Sequence, residues 1–133
     1  MVTSANMIEF VLQRDPAFGA AWAEHLRSWD GCERGPYNDI DAYLKYVCQL
    51  VRTDLPGAGH SFQIVEELLG QGDHEVQTVV ALGFLESLTN LASNGKVDPV
   101  LFVSLLGPLS AEECRALDVF WGTRLPGLWP DTP

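Results

Sequence analysis

Apolar residues recur at three- and four-residue spacing along nearly the whole chain, and each run is cut by proline, glycine or an Asp-Pro pair. That rhythm lays one greasy stripe along each of a series of helices. No segment alternates apolar and polar residues with period two between turn residues, so strands have nothing to be built from and the expected fold is all-α. With 133 residues, 47% of them hydrophobic, the chain can bury a core as one domain without staples. The expectation is a single helical domain over residues 1–133, a compact bundle of about six or seven helices with an irregular tail over about 125–133.

The first helix is read over residues 4–14, with Met7, Ile8, Val11 and Leu12 on one face. Asp15-Pro16 restarts the chain as an N-cap followed by proline at the first helical position, and Phe18, Trp22, Leu26 and Trp29 continue as a ridge that fades near Gly31. After a loop at 31–36, a third helix starts near Asn38 and ends at Leu-Pro-Gly-Ala-Gly, residues 55–59. Helices over 61–71 and 73–93 meet at Gly72-Asp73, a pair that resembles one HEAT or armadillo unit. The second of them is apolar on two sides and is expected at the centre, with a neighbour packed close to Gly83. Asn94-Gly95 stops it, Asp98-Pro99 caps a short sixth helix, and Ser110 with Glu113 reads as a capping box opening a seventh.

The charge balance then narrows the partners. Lys and Arg number 8 against 18 Asp and Glu, a net charge of −10, which excludes a phosphate backbone or an anionic membrane as the ligand. From Thr53 to Gly95 there is no Lys or Arg, while Asp54, Glu66, Glu67, Asp73, Glu75 and Glu86 are all negative. Such a region suits a basic protein surface. Cys32, Cys48 and Cys114 are odd in number and fit neither a zinc site nor a disulfide framework, so they read as reduced thiols. The N-terminus lacks a basic segment followed by an apolar one, and the greasiest stretch, residues 97–109, is broken by Asp98, Pro99, Gly107 and Pro108. A cytoplasmic protein outside the membrane is expected.

No nucleophile elbow, phosphate loop or dinucleotide fingerprint is present, so the chain is expected to be no enzyme and to take no cofactor and no metal. His74 between Asp73 and Glu75 is the most metal-like trio, yet Asp73 is better explained as an N-cap and Glu75 as a partner of the helix dipole. Cys32, beside Arg34 in the glycine loop, is the most plausible reactive thiol. Glu86, placed among Gly83, Phe84 and Leu85, needs a partner if buried, and Asn90 at i+4 is the expected one. Trp129 in the proline-rich tail either folds back onto the core or stands as an exposed anchor. Tyr37, Asp39, Asp41, Glu66, Glu67, Asp73 and Glu75 are the candidate partner-binding residues, an aromatic and carboxylates being a common composition for an interface anchor.

Gly83-Phe84-Leu85-Glu86-Ser87-Leu88-Thr89-Asn90, then Phe102, Leu105-Leu106-Gly107-Pro108 and Trp121-Gly122, resemble small acidic helical immunity proteins of bacterial polymorphic toxin systems, over residues 73–122. The resemblance implies a cytosolic antidote that binds and neutralises a cognate toxin domain. A basic toxin agrees with the charge. The alternative is a HEAT-like adaptor that holds another protein without inhibiting it.

Overall fold

The structure, a computed structural model, describes residues 1–130. Among them run seven helices: α1 (Met7–Arg14), α2 (Gly19–Ser28), α3 (Pro36–Thr53), α4 (Leu55–Gln71), α5 (residues 74–93), α6 (Pro99–Phe102) and α7 (Pro108–Trp121). Short 3₁₀ turns, Pro16–Phe18 and Val103–Leu105, precede α2 and follow α6. The bundle is all-α, as the periodicity requires. One parallel bridge adds an N-terminal pin: the Val2 N–H donates to the Gln71 carbonyl (2.9 Å) and the Asp73 N–H to the Val2 carbonyl (2.8 Å).

Several helix ends differ from the sequence reading, each for a local reason. The 55–59 stretch opens α4 where it was expected to end the third helix. Asp54 accepts from the Gly57 N–H (3.1 Å), and Pro56 sits in the first turn, where a missing N–H costs nothing. Helix α3 starts at Pro36, because Asn38 reaches back to the Gly35 N–H at 2.9 Å. Helix α7 starts at Pro108, and Ser110 lies buried inside its first turn, so the Ser110–Glu113 capping box does not form. The ridge of α2 is peripheral: none of its residues is buried, and only Phe18, in the turn before it, enters the core. Elsewhere the stop signals hold, with Gly95 at φ 72° after α5 and Gly122 at φ 67° after α7.

Helix α5 is the central element, packed against α3, α4 and α7. Its middle, Val79–Glu86, is wound as a π-helix, with hydrogen bonds from i to i+5, between α-helical ends. Gly83 lies in that segment, and a Cβ there would come 2.6 Å from Ile40 Cγ2 and 3.1 Å from Tyr37 Cδ1. The close neighbour expected at this glycine is therefore the start of α3. Around it an aromatic ladder crosses the core: Phe18 meets Tyr43 edge-on at 4.9 Å, Tyr43 meets Phe84 at 6.2 Å, Phe84 meets Phe62 at 6.0 Å, and Phe62 stacks on Phe102 at 6.1 Å. Edge-on and stacked pairs of this kind add about 1 kcal/mol each beyond the area they bury. Among the described residues, no helix is long and apolar enough to cross a membrane.

Candidate functional site

Most of the carboxylates expected to meet a partner are engaged within the molecule. Glu66 accepts the Leu109 N–H (2.7 Å), the Ser110 N–H (2.9 Å) and the Ser110 hydroxyl (2.9 Å), so α4 supplies the cap that α7 lacks in its own sequence. Glu67 takes the Arg14 guanidinium at 2.8 Å, and Asp41 pairs with Lys45 one turn along α3 at 3.1 Å. Asp39 holds Arg34 at 2.7 Å and His25 at 3.1 Å, with its side chain only 14% exposed. Asp73 caps α5 by accepting the Val76 N–H at 2.9 Å. Of the seven residues, Glu75 and Tyr37 remain exposed.

The sequence reading missed the buried roles of two carboxylates, Asp15, which it read as an N-cap, and Asp118. Asp15 sits at the start of the 3₁₀ turn without capping it; its side chain turns inward and accepts from the Tyr43 hydroxyl (2.9 Å) and the Ser61 hydroxyl (3.3 Å). Burial of Tyr43 in this arrangement raises its pKa well above the ordinary value of 10.0. Asp118, on α7, accepts from the Thr123 hydroxyl (2.7 Å), the Leu125 N–H (2.8 Å) and the Trp129 indole N–H (2.7 Å). It clasps the tail, so Trp129 folds back and Leu125 and Leu128 are buried. A tryptophan in a proline-rich tail was the one visible sign that an acceptor was required. Residues 131–133 of the expected tail lie outside the described residues.

The outward face is elsewhere, at the C-terminal end of α7. Glu86 is half-buried, and its partner is the Trp121 indole N–H at 3.2 Å; Asn90, the expected partner, is exposed. The wide π-turn places Glu86 beside α7, and α7 brings the indole from 35 residues away. Trp121 is 57% exposed and packs edge-on to Phe120 at 5.1 Å, itself 76% exposed, with Val119 exposed alongside. One turn before Glu86 on α5, Leu82 is also exposed, and next to it Tyr37 lies over Gly83. Glu86, Trp121 and Phe120 thus form one contact group where α5 meets α7, and Tyr37 and Leu82 are exposed on α3 and α5. Leu82 lies on a helix read as apolar on two sides, and in the structure it is exposed.

The remaining reactive groups are held quiet. Cys48 and Cys114 are buried, and burial pushes the Cys48 thiol up and the Cys114 thiol up to about 12, while Cys32 is exposed. Among the described residues no three His, Cys, Asp or Glu side chains gather in a way that holds a metal ion. The surface at Trp121 carries exposed aromatic area with a carboxylate at its edge.

A family model matches residues 8–122, and the chain belongs to that family, described as a domain of unknown function (DUF7674). No curated protein and no solved structure matches it.

Proposed function

We propose that this member of a family without an assigned activity is a cytosolic immunity protein, which neutralises a cognate toxin domain by binding it through the face at the end of α7. The observation that carries the reading is the exposed aromatic pair Phe120 and Trp121, edged by Glu86. Large apolar side chains gathered on one exposed face mark interaction sites on soluble domains. Tyr and Trp are the residues that most often anchor interfaces, since they bury much area at little conformational cost. The net charge of −10 favours a basic partner, such as a nuclease toxin. The sequence stretches that resemble immunity proteins, 83–90 and 121–122, meet at this face through Glu86 and Trp121.

The test is expression of the neighbouring reading frame of the same locus in cells with and without this chain, followed by viability. Rescue with a co-purifying 1:1 complex is the expected outcome, and Phe120→Ala with Trp121→Ala abolishes it while the circular dichroism spectrum is unchanged. No toxicity, or toxicity that this chain does not relieve, overturns the reading in favour of an adaptor role. Rescue that survives the double substitution moves the contact surface to another face.

A further inference from the structure

The molecule builds the same small device twice, each time with an arginine of its own, and a third arginine stacks on a tryptophan without reaching an acid among the described residues. The Arg14 guanidinium lies 3.5 Å over the Phe10 ring while its Nε donates to Glu67 at 2.8 Å. The Arg34 guanidinium lies 5.3 Å from the Trp22 ring centre while its Nε donates to Asp39 at 2.7 Å. The Arg124 guanidinium lies 5.8 Å from the Trp129 ring centre, and the Trp129 indole N–H is held by Asp118 at 2.7 Å. In the first two, aromatic face, carboxylate and guanidinium come together because a planar cation stacks on a ring and donates sideways to an acid at the same time, whereas Arg124 donates to the Pro130 carbonyl.

Trp121 and Glu86 repeat the indole–carboxylate half of the third example, with an indole N–H donating to a carboxylate, here at 3.2 Å, and supply the ring and acid that Arg14 and Arg34 each meet in the first two, the ring being largely open to solvent. Among the described residues, no Arg or Lys stands over this ring or pairs with Glu86. Arg124, three residues after Trp121, is turned to Trp129 and to the Pro130 carbonyl. The α5 sequence around Glu86 carries no cation, and none occurs between Thr53 and Gly95. Trp121 also ends α7, and the C-terminal end of a helix carries partial negative charge that adds to the carboxylate. Both groups therefore favour a cation arriving from outside.

We propose that Trp121 and Glu86 form a seat for one arginine side chain of the partner protein. The guanidinium stacks on the exposed indole and donates to the Glu86 carboxylate, and Phe120, packed edge-on to Trp121, flanks its aliphatic stem. Arginine is preferred to lysine because its flat fork meets ring and carboxylate together, whereas an ammonium is a compact, strongly hydrated charge. The assignment rests on the reading of this face as the partner surface and names the group that the partner brings.

The probe is N-acetyl-arginine amide, titrated into the ¹⁵N-labelled full chain, with N-acetyl-lysine amide as the comparison. The chain has 4 tryptophans, so its indole N–H signals can be followed individually, with Trp121 assigned through Trp121→Phe. The expected result is a saturable shift of the Trp121 indole signal, about two- to fivefold weaker with the lysine compound, as an exposed cation–π contact allows. In Glu86→Gln the arginine titration weakens by a similar factor while the thermal melt is unchanged. A Trp121 signal that does not move, that moves equally with both compounds, or that moves equally in Glu86→Gln overturns the proposal. The viability experiment separates the two ideas: rescue without an arginine response keeps the immunity reading and removes the seat. An arginine response without rescue keeps the seat and removes the immunity reading.

Discussion

The two ends of α7 each receive a glutamate from a neighbouring helix, and the two glutamates do opposite things. At the N-terminal end, Glu66 meets backbone N–H groups that have no partner in their own helix, and three donors converge on it. The helix dipole favours a negative charge there. At the C-terminal end, Glu86 meets one indole N–H and the negative pole of the helix, among aromatic side chains that face solvent. The same residue type is a structural cap with three donors at one end and a half-buried acceptor with one donor at the other. What decides is which end of the helix the carboxylate meets.

Substitutions at and between these ends sharpen the contrast. The largest effect is expected at Asp118, buried and holding three donors: Asp118→Ala leaves the Leu125 N–H and the Trp129 indole without their acceptor and lowers unfolding free energy by about 3–4 kcal/mol in urea titration. A loss below about 1 kcal/mol would mean that the tail is not clasped as described. Glu66→Ala is expected to cost about 2–3 kcal/mol, since Ser110 keeps a buried hydroxyl and N–H with no acceptor. If Glu66→Ala proves as mild as a surface change, the distinction between the two ends fails. Gly83→Ala puts a methyl group against Ile40 and Tyr37 and is expected to cost about 1–2 kcal/mol, read from the melting curve.

Cys114, inside α7, gives a pH test of the same helix. Its thiol is pushed from the ordinary 9.0 up to about 12 by burial first, with Asp118 and Glu113 adding to it. The folded chain therefore holds this proton more tightly than the unfolded one, so the stabilisation is complete below pH 9.0 and is lost as pH rises towards 12. Unfolding free energy should fall across that window, less steeply in Cys114→Ala, and at pH 8 a thiol reagent should label Cys32 alone until the protein is unfolded. Labelling of Cys114 in the folded protein, seen by mass spectrometry, would show that α7 opens readily. The smallest stability effect is expected at Glu86→Gln, within about 0.5 kcal/mol, because a single exposed hydrogen bond contributes little. Its loss should appear in partner binding alone.

Local signals carried much of the fold. The helical period named the class and part of the core, Met7, Val11 and Phe18 among it. Asp73 and Asp98 were readable as caps because a cap acts within three residues of itself, and each accepts the N–H expected of it. Gly83 was readable as a close approach because glycine in mid-helix has a cost that only packing offsets. What the tertiary structure decided was where the carboxylates point. Glu66 meets α7 from 43 and 44 residues away, Asp15 meets Ser61 from 46, and Glu86 meets Trp121 from 35. Periodicity reports which side of a helix is apolar, and it says nothing about which stripe a distant helix arrives to cover. Leu82 and Phe120 therefore read in sequence like their buried neighbours, and only the tertiary packing leaves them exposed.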